Sequence, residues 1–483
     1  MAGLEMREKG GRGWLITVIA LGVLTAIPFF LISRYVFPVN DDYTFALHNM
    51  GGNPFATTVA IWQYWSGRYF GTFISSLNPL AVSSDPLPLF PAYSMVVVAL
   101  TYLTFIITAM FALRRRLGTV PAFAAGSFLY MLFMGMLPSP AQFFYWFSAY
   151  TSFSIPSLLS VVFMALCISR SKVAMVFTAF LALLIPGGNE VTAVLLFCTC
   201  FYLYYTYRSR RFLLYTILAL FGVIIVIASP GNGIRMTHQL SAHPYLWSVA
   251  VSLGQTFSWL ILWLPFLLVA SGVYVLLWGR KLAGVKMFNV SLGKFLIFAL
   301  VAVFLAHIPP TLGLSSVMIG RTANCMFTFF IIFYFWGLNI VLHKYGNSLW
   351  KFVSGRMRTA LMGVSLFCFA FIVVASPEGN WTTCVCDMVL GKASGYEATN
   401  RNRLEIARQA DMKPDSSVVV LPAYPAVPKT IFVNDMESVA GSEFCMNYQK
   451  VFGLRRPVVV EEVEYVSVDN FQSLKNRGKS MRK

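Results

Sequence analysis

Long apolar segments separated by short polar loops run through the first 376 of the chain's 483 residues. An α-helix of about 20 mostly apolar residues spans the roughly 30 Å hydrocarbon core of a bilayer. The pattern predicts about eleven such helices, and ten or twelve would also fit because several segments are short or interrupted by proline. The predicted spans cover residues 14–37, 90–113, 118–137, 152–168, 173–186, 191–207, 212–229, 256–278, 293–310, 324–342 and 359–376. We therefore predict an all-α polytopic membrane protein.

The composition agrees with this pattern, since 57% of the residues are hydrophobic, only 12% are charged and the mean hydropathy is +0.68. Soluble domains carry about 25% charged residues. The net charge of +18 would suit a nucleic-acid-binding protein. In a membrane protein, however, basic residues at the ends of the spans account for this net charge, and we predict no nucleic-acid partner. The sequence contains no glycine-rich nucleotide loop, no zinc-type Cys/His cluster and no Gly-x-Ser-x-Gly motif.

Lys and Arg residues are distributed unevenly between alternate loops. Up to residue 376, nineteen lie in one set of loops, whereas the opposite set holds only Arg34, Arg68, Arg235 and Arg321. Cytoplasmic loops of membrane proteins are enriched in Lys and Arg, so this asymmetry predicts a cytoplasmic N-terminus. With eleven spans, the chain after about residue 377 then lies outside the cytoplasm.

Acidic residues are scarce between residues 13 and 376, where only Asp41, Asp42, Asp85 and Glu190 occur. In the predicted topology, all four lie at the outer ends of spans or in outer loops. Ionisable groups at membrane depth are costly and tend to mark functional sites. Asp85, in the sequence SSDPLP, is typical of a turn or a helix start, which leaves the other three as candidate site residues.

Three of the four outer arginines lie in polar or aromatic loop sequences. Arg68 belongs to AIWQYWSGRYFGTFI at 60–74, whose aromatic residues recur at helical spacing and predict an amphipathic helix in the membrane interface. Arg235 lies in the loop SPGNGIRMTHQLSAHP, and Arg321 begins a late span in SSVMIGRTANCM. Because the forked guanidinium suits phosphate recognition, we predict that these three arginines converge on one phosphate.

These charges fit one reaction, the transfer of a sugar from a lipid phosphate. The arginines would hold the phosphate, an apolar groove between spans would take the polyprenyl tail, and Asp41 or Asp42 would accept the proton of the attacking hydroxyl. Adjacent carboxylates repel, and the repulsion can raise one pKa into the range that suits a general base. Alternatively, the pair and water would bind a divalent cation, Mg²⁺ or Mn²⁺, which is the one cofactor that the sequence suggests.

The order of several short motifs resembles the GT-C class of membrane glycosyltransferases, which use polyprenyl-phosphate-linked sugars. In that class the first outer loop holds the acidic catalytic motif and interfacial helices, a placement that NDDY at 40–43 and WQYWSGRYFGTF at 62–73 match. More closely, the chain resembles a bacterial GT-C-like family with DDY, WSGR, GNE, PGN and GR in this order. The similarity extends to YEATNRNRLEIA, VVVLPAYPAVPKTIFVND and FCMNYQKVFG. It spans nearly the full length and implies a GT-C-like fold in a bacterial inner membrane.

The resemblance also implies site residues. It favours Asp41 as the catalytic base and Asp42 as its partner, and a metal, if bound, would use the same pair. Phosphate binding stays with the three outer arginines. The residues expected to bind or orient the substrates are Tyr43, Trp65, Asn189, Glu190, Asn232 and His238.

Residues 377–483 differ in composition from the rest of the chain, since they hold thirteen of the nineteen acids and fourteen of the thirty-seven basic residues. The stretch EATNRNRLEIARQA predicts a helix, and SVVVLPAY, KTIFVND and PVVVEEVEYVSV predict strands. We therefore predict a transmembrane domain over 1–376 and a small extracytoplasmic α/β domain over 377–483. Outside the cytoplasm Cys384, Cys386 and Cys445 can form a disulfide, but three cysteines leave the pairing open.

The favoured function is that of a glycosyltransferase in cell-envelope polysaccharide biosynthesis. It would move a hexose or pentose from a polyprenyl-phosphate donor to a glycan, a lipid-linked glycan or a protein at the outer face of the membrane. A polysaccharide polymerase or an enzyme like the O-antigen ligases is the nearer alternative, but it would need no carboxylate pair after the first span. A transporter is expected to place polar residues near the bilayer midplane and to show repeated halves, and the sequence shows neither.

Overall fold

The computed structural model describes residues 2–50, 52–83, 87–238, 245–314, 317–318, 320–352, 355–413 and 417–462. Asp85 and residues 463–483 lie outside these residues. The first apolar helix is followed by a loop that contains four short helices. These elements are α1 (Ala2–Ile32), α2 (Asp41–Asn49), α3 (Pro54–Tyr64), α4 (Tyr69–Ser75) and α5 (Pro79–Val82).

The helices that follow form the body of the molecule and pack around one apolar core. They are α6 (Leu89–Leu117), α7 (Thr119–Met136), α8 (Phe147–Ala149), α9 (Ile155–Ile168), α10 (Lys172–Leu184), α11 (Glu190–Tyr207), α12 (Arg210–Ile227), α13 (Pro230–His238), α14 (Tyr245–Tyr274), α15 (Arg280–Leu282), α16 (Leu292–Leu314), α17 (Gly320–Phe352) and α18 (Gly355–Ala375). Apolar segments of this length form helices because a helix satisfies all of its backbone hydrogen bonds internally.

Within the described part of the chain, nine helices are long and apolar enough to cross a membrane. The segment Lys172–Gly187 is a shorter apolar helix, and α11 has 18 residues. Each of the eleven apolar segments predicted from the sequence coincides with a helix. The all-α, multi-pass membrane architecture is therefore confirmed, whereas the number of crossings and their orientation stay predictions.

Helix α14 begins at Tyr245, earlier than the predicted start at residue 256. The added turns carry serines that are buried against α16, where Ser252 Oγ lies 2.9 Å from Thr311 Oγ1. One turn further, Thr256 Oγ1 lies 3.2 Å from Nδ1 of His307, which is also buried. The sequence interpretation overlooked these polar residues inside the apolar helices. They bond to each other across the α14–α16 interface, as polar side chains between membrane helices do.

The chain after residue 377 contains both helices and strands, as predicted. Its elements are α19 (Asn380–Val389), α20 (Lys392–Asp411), β1 (Val419–Leu421), α21 (Glu443–Val451) and β2 (Val458–Val460). The two strands pair in parallel, with Val419 opposite Val458. The predicted helix lies within α20, and β1 and β2 lie within the first and third predicted strands. Whether this C-terminal segment is a separate domain stays a prediction.

The predicted strand KTIFVND at 429–435 is wrong, because these residues form a turn followed by irregular chain. The amides of Ile431 and Phe432 both donate to the carbonyl oxygen of Pro428, at 3.2 and 2.9 Å. Backbone groups bonded locally in this way are not available to a neighbouring strand. Side-chain composition favoured a strand here, but the turn after the proline decides the conformation.

Two contacts fix the C-terminal segment. At its start, the side chain of Asn380 donates to the carbonyl oxygens of Met134 and Leu137, at 2.9 and 2.8 Å. In its interior, Arg403 donates two hydrogen bonds of 2.7 and 2.8 Å to Asp435, and both side chains are buried. The segment is therefore ordered internally and packed against the end of α7.

The three cysteines of the C-terminal segment form no disulfide in this structure. Cys384, Cys386 and Cys445 are free thiols, and only Cys386 is exposed. Cys445 Sγ instead lies 3.3 Å from the carbonyl oxygen of Glu437. The pairing that the sequence left open is thus not made.

Candidate functional site

The loop after α1 presents Arg68 at a break between two helices. Residues 65–68 separate α3 from α4, so the single amphipathic helix predicted over 60–74 is wrong. The reason is a close backbone approach, because a Cβ on Gly67 would lie 2.2 Å from the carbonyl oxygen of Val226 at the end of α12. Only glycine permits this contact, and it joins the loop to the region where α12 ends and α13 begins.

Arg68, Arg235 and Glu190 form an ion-pair triad. Arg68 donates from Nε to both carboxylate oxygens of Glu190, at 3.3 and 3.1 Å, and from Nη2 to Oε2 at 2.9 Å. Arg235 Nη2 donates to Oε1 at 3.2 Å. The side chains are only 13–20% exposed, and two guanidiniums share one carboxylate, so the triad keeps a net positive charge. The structure thus brings together three residues from distant parts of the sequence.

The two asparagines expected to bind or orient the substrates hold the triad in place. Asn189 caps α11 by accepting a hydrogen bond of 3.0 Å from the amide of Thr192, and it donates to the carbonyl oxygen of Ser152 at 2.9 Å. This cap fixes the start of α11, where Glu190 lies. Asn232 accepts from the amide of Gly67 at 3.3 Å. Both are positioning residues in this structure.

Arg321 approaches the triad from the start of α17. Its Nη1 lies 3.5 Å from Oδ2 of Asp41. Its guanidinium carbon is 4.5 Å from the ring centroid of Trp146 and 5.1 Å from that of Phe153. Arg68 lies over the same Phe153 ring at 5.0 Å. The three predicted arginines therefore lie together, and aromatic faces orient two of them through cation–π contacts.

The glycine before Arg321 sets the start of α17. Gly320 has φ +48°, a conformation that side chains rarely adopt, and a Cβ there would lie 2.2 Å from Oε1 of Gln142. The same oxygen accepts a 2.8 Å hydrogen bond from the amide of Arg321. The Gly-Arg pair of the sequence is thus explained by a turn that leads directly into the site.

The first residues of α2 face three different surroundings. Asp41 and Asp42 form the first turn of the helix, where successive side chains are about 100° apart. Asp41 is partly exposed beside Arg321. Asp42 is completely buried, and Tyr43 is buried on a further side. Asp41 therefore faces the site and Asp42 does not.

Asp42 ties α2 to α8. Its carboxylate accepts from the amide of Val39 at 3.1 Å, and from the amide and hydroxyl of Ser148 at 2.9 and 2.6 Å. Burial raises the pKa of Asp42 from 3.8 to about 7, although these hydrogen bonds oppose the shift. Repulsion by Asp41 contributes the least to the shift, so the adjacent charge invoked from the sequence is a minor cause.

Tyr43 does not line the site, because it is buried against the C-terminal segment. Its ring packs against Phe444, Tyr448 and Phe452, with centroids 5.6, 5.5 and 6.0 Å away. Its hydroxyl donates to the carbonyl oxygen of Pro38 at 3.0 Å. Tyr43 therefore anchors the C-terminal segment, through α21, on the helix that carries Asp41.

These elements enclose a cavity of about 610 Å³ that we call the arginine cavity. The three arginines and Asp41 line it on the side of the body, with Trp65 beside them. Glu437, Glu443 and Phe444 of the C-terminal segment also line it. The body therefore contributes the cations of the lining, and the C-terminal segment contributes acidic side chains, whose part of the lining we call the anionic side.

The sequence interpretation missed the contribution of the C-terminal segment. Glu437 and Glu443 carried no signal of their own, although FCMNYQKVFG at 444–453 was among the motifs of the resemblance. It also missed Ser66, whose buried hydroxyl lines the cavity and has no hydrogen-bond partner among the described residues. The side chain of His238 lies outside the described residues.

The carboxylate pair does not form a shared metal site. The oxygens of Asp42 are buried and occupied by three donors, so only Asp41 of the pair is available to an ion in the cavity. Among the residues that the structure describes, no group of three or more His, Cys, Asp or Glu side chains could hold a metal ion. A divalent cation with Asp41 and Asp42 as joint ligands does not fit this geometry.

An apolar groove of about 520 Å³ lies between α14, α16 and α17. Leu264, Leu296 and Phe333 are among the residues that line it. It shares no lining residue with the arginine cavity. A groove between spans was expected for a lipid tail; this groove is separate from the cavity, and the binding of a tail stays a prediction.

No protein-family model, no curated protein and no solved structure matches this chain. The resemblance to GT-C glycosyltransferases therefore depends on the motifs of the sequence alone. What the geometry adds is the arrangement of those motifs around one cavity.

Proposed function

We propose that the protein is an integral-membrane glycosyltransferase that moves a sugar from a polyprenyl-phosphate donor to a hydroxyl-bearing acceptor. The observation that carries this proposal is the cavity in which three guanidiniums meet beside a carboxylate, with Arg321 3.5 Å from Asp41. Guanidiniums are suited to the oxygens of a phosphate, and a carboxylate within the same cavity is suited to accept a proton.

In the proposed reaction, the donor phosphate binds the arginines and draws Arg321 from Asp41. The acceptor hydroxyl then attacks the sugar carbon that carries the phosphate, and its proton passes to Asp41 Oδ2. The bond between that carbon and the phosphate oxygen breaks, and polyprenyl phosphate leaves with its charge stabilised by the arginines. Asp42, which is buried, acts as a positioning residue for α2.

The anionic side of the cavity suits the acceptor. Glu437 and Glu443 are exposed there, and carboxylates accept hydrogen bonds from sugar hydroxyls. Trp65 and Phe444 offer apolar faces on which a sugar ring can lie. A donor phosphate would be repelled by these carboxylates and attracted to the arginines. The donor and the acceptor would therefore bind at different parts of the cavity.

The proposal also includes the location and orientation of the protein in the membrane. We place the protein in a bacterial inner membrane, with its N-terminus in the cytoplasm and the arginine cavity and C-terminal segment at the periplasmic face. The support is the excess of Lys and Arg in alternate loops, together with the position of Asp41, Arg68 and the C-terminal segment at one end of the helices. A carboxylate inside the cavity favours a transferase over a ligase or a transporter.

The test is transfer of labelled sugar from a panel of polyprenyl-phosphate sugars by membranes that contain the protein. Asp41→Asn should lower transfer about 10²–10⁴-fold, the usual contribution of a general base, while binding of polyprenyl phosphate is kept. Glu397→Gln, which removes a carboxylate that is paired with Arg401 and does not line the cavity, should change neither. Equal rates for wild type and Asp41→Asn, or a folded protein that binds no polyprenyl phosphate, would refute the proposal.

A further inference from the structure

A second polar pocket lies at the far end of α11, about 27 Å from Glu190 because the helix has 18 residues that rise 1.5 Å each. It has a volume of about 560 Å³ and is lined by the ends of α11 and α16 and by the chain before α16. We call it the basic pocket. It has no part in the proposed transfer reaction.

The basic pocket carries three cationic side chains, Arg208, Lys286 and Lys294. None of the described residues that line it is acidic, and the sequence has no Asp or Glu between Glu190 and Glu378. Within the described lining, the positive charge therefore has no acidic counterpart. Such a pocket attracts an anion more strongly than surface lysines that alternate with acids.

Arg208 is held at the rim by its own conformation. Its φ of +48° is left-handed, a conformation that glycine usually provides where a helix ends. Strained residues of this kind cluster at functional sites. The guanidinium carbon lies 5.0 Å from the ring centroid of Tyr205 and 5.8 Å from that of Tyr204. The cation is thus oriented before any ligand binds.

The opposite rim is the N-terminus of α16, a helix of 23 residues. Ser291, directly before the helix, and Lys294, in its first turn, both line the pocket. Unpaired amides and the helix dipole favour an anion at such an end. The hydroxyl of Tyr207 donates to the carbonyl oxygen of Met287 at 2.6 Å, which fixes this chain segment to α11.

Apolar side chains flank the pocket on the surface of the helices. Phe201 lies one turn from Tyr205 on α11, and Ile297 lies one turn from Lys294 on α16; they are 53% and 67% exposed. An amphiphile with its head group in the pocket would lay its chain along these residues. A soluble anion would make no use of them.

From these contacts we propose that the basic pocket binds a phosphate group, supplied by the head group of an anionic phospholipid. The ligand chemistry is shared with soluble phosphate, and the exposed apolar residues favour the lipid. The bound head group would neutralise the cations and join the end of α11 to the start of α16.

The test uses the full-length protein in neutral detergent, titrated with phosphatidylglycerol or phosphatidylcholine and followed by native mass spectrometry. Phosphatidylglycerol should be retained preferentially. A basic residue near an anionic lipid contributes about fivefold to affinity, so the triple variant R208Q/K286Q/K294Q should bind phosphatidylglycerol about a hundredfold more weakly. Thermal unfolding in lipid-free detergent shows whether the variant is folded.

The matched control is R114Q/R115Q/R116Q, which removes the same charge at the end of α6, outside the pocket. It should leave phosphatidylglycerol binding unchanged. Equal losses in both triple variants, or no loss in the pocket variant, would overturn the proposal. Displacement of the lipid by millimolar inorganic phosphate would assign the pocket to a soluble phosphate instead of a lipid.

Discussion

The ion-pair triad makes Glu190→Gln the most informative substitution in this protein. The carboxylate has four contacts of 2.9–3.3 Å with the nitrogens of Arg68 and Arg235. Glutamine keeps the shape but removes the charge and turns one acceptor into a donor that faces a guanidinium. Breaking a fully buried ion pair costs about 3–5 kcal/mol. Because these side chains are 13–20% exposed, we expect a loss of about 2–4 kcal/mol in the free energy of unfolding.

The assay is thermal unfolding in detergent, followed by tryptophan fluorescence. Glu443→Gln is the matched control, since it is the same substitution at an exposed position of the same cavity, and it should change stability by less than about 0.5 kcal/mol. The double variant with Arg68→Gln should be less destabilised than the sum of the single variants, because contacting residues do not act additively. Equal midpoints for the two glutamate variants, or additive effects of Arg68→Gln and Glu190→Gln, would refute the triad.

Three further predictions concern stability, docking and topology. Burial raises the pKa of Asp42 to about 7, so between about pH 4 and 7 the folded state keeps a proton that the unfolded state has lost, and the free energy of unfolding should fall as the pH rises through this window. Asp42→Asn should therefore flatten the plot of the unfolding midpoint against pH, and an unchanged slope would contradict this. Tyr43→Ala should lower the free energy of unfolding by about 3–5 kcal/mol and expose the C-terminal segment to limited proteolysis, whereas Tyr43→Phe should lower it by only about 1 kcal/mol. Equal cleavage rates in the two variants would show that Tyr43 does not anchor the segment. Cysteines introduced at Arg210 and Val439 should react with impermeant reagents from the cytoplasmic and the periplasmic side respectively, and labelling of both from one side would exclude the topology.

The sequence by itself determined the helical, multi-pass architecture and the three arginines of the site. Apolar segments long enough to cross a bilayer form helices whatever their neighbours, because the backbone has no other way to satisfy its hydrogen bonds there. Only four basic residues lie in the loops opposite the nineteen, so Arg68, Arg235 and Arg321 stood out without any knowledge of contacts. Their roles in binding and catalysis stay predictions.

Only the tertiary structure decided which contacts each of several neighbouring residues makes. Asp41, Asp42 and Tyr43 are adjacent in sequence, yet one faces the cavity, one binds Ser148 and one anchors α21. The break before Arg68 depends on a backbone contact with α12. The acidic residues Glu437 and Glu443 of the cavity come from the C-terminal segment, far from Asp41 in sequence. The local pattern of apolar and polar residues indicates where helices form and which residues face lipid. The roles of these three residues, the break before Arg68 and the acidic lining depend instead on which surfaces meet when distant segments pack together.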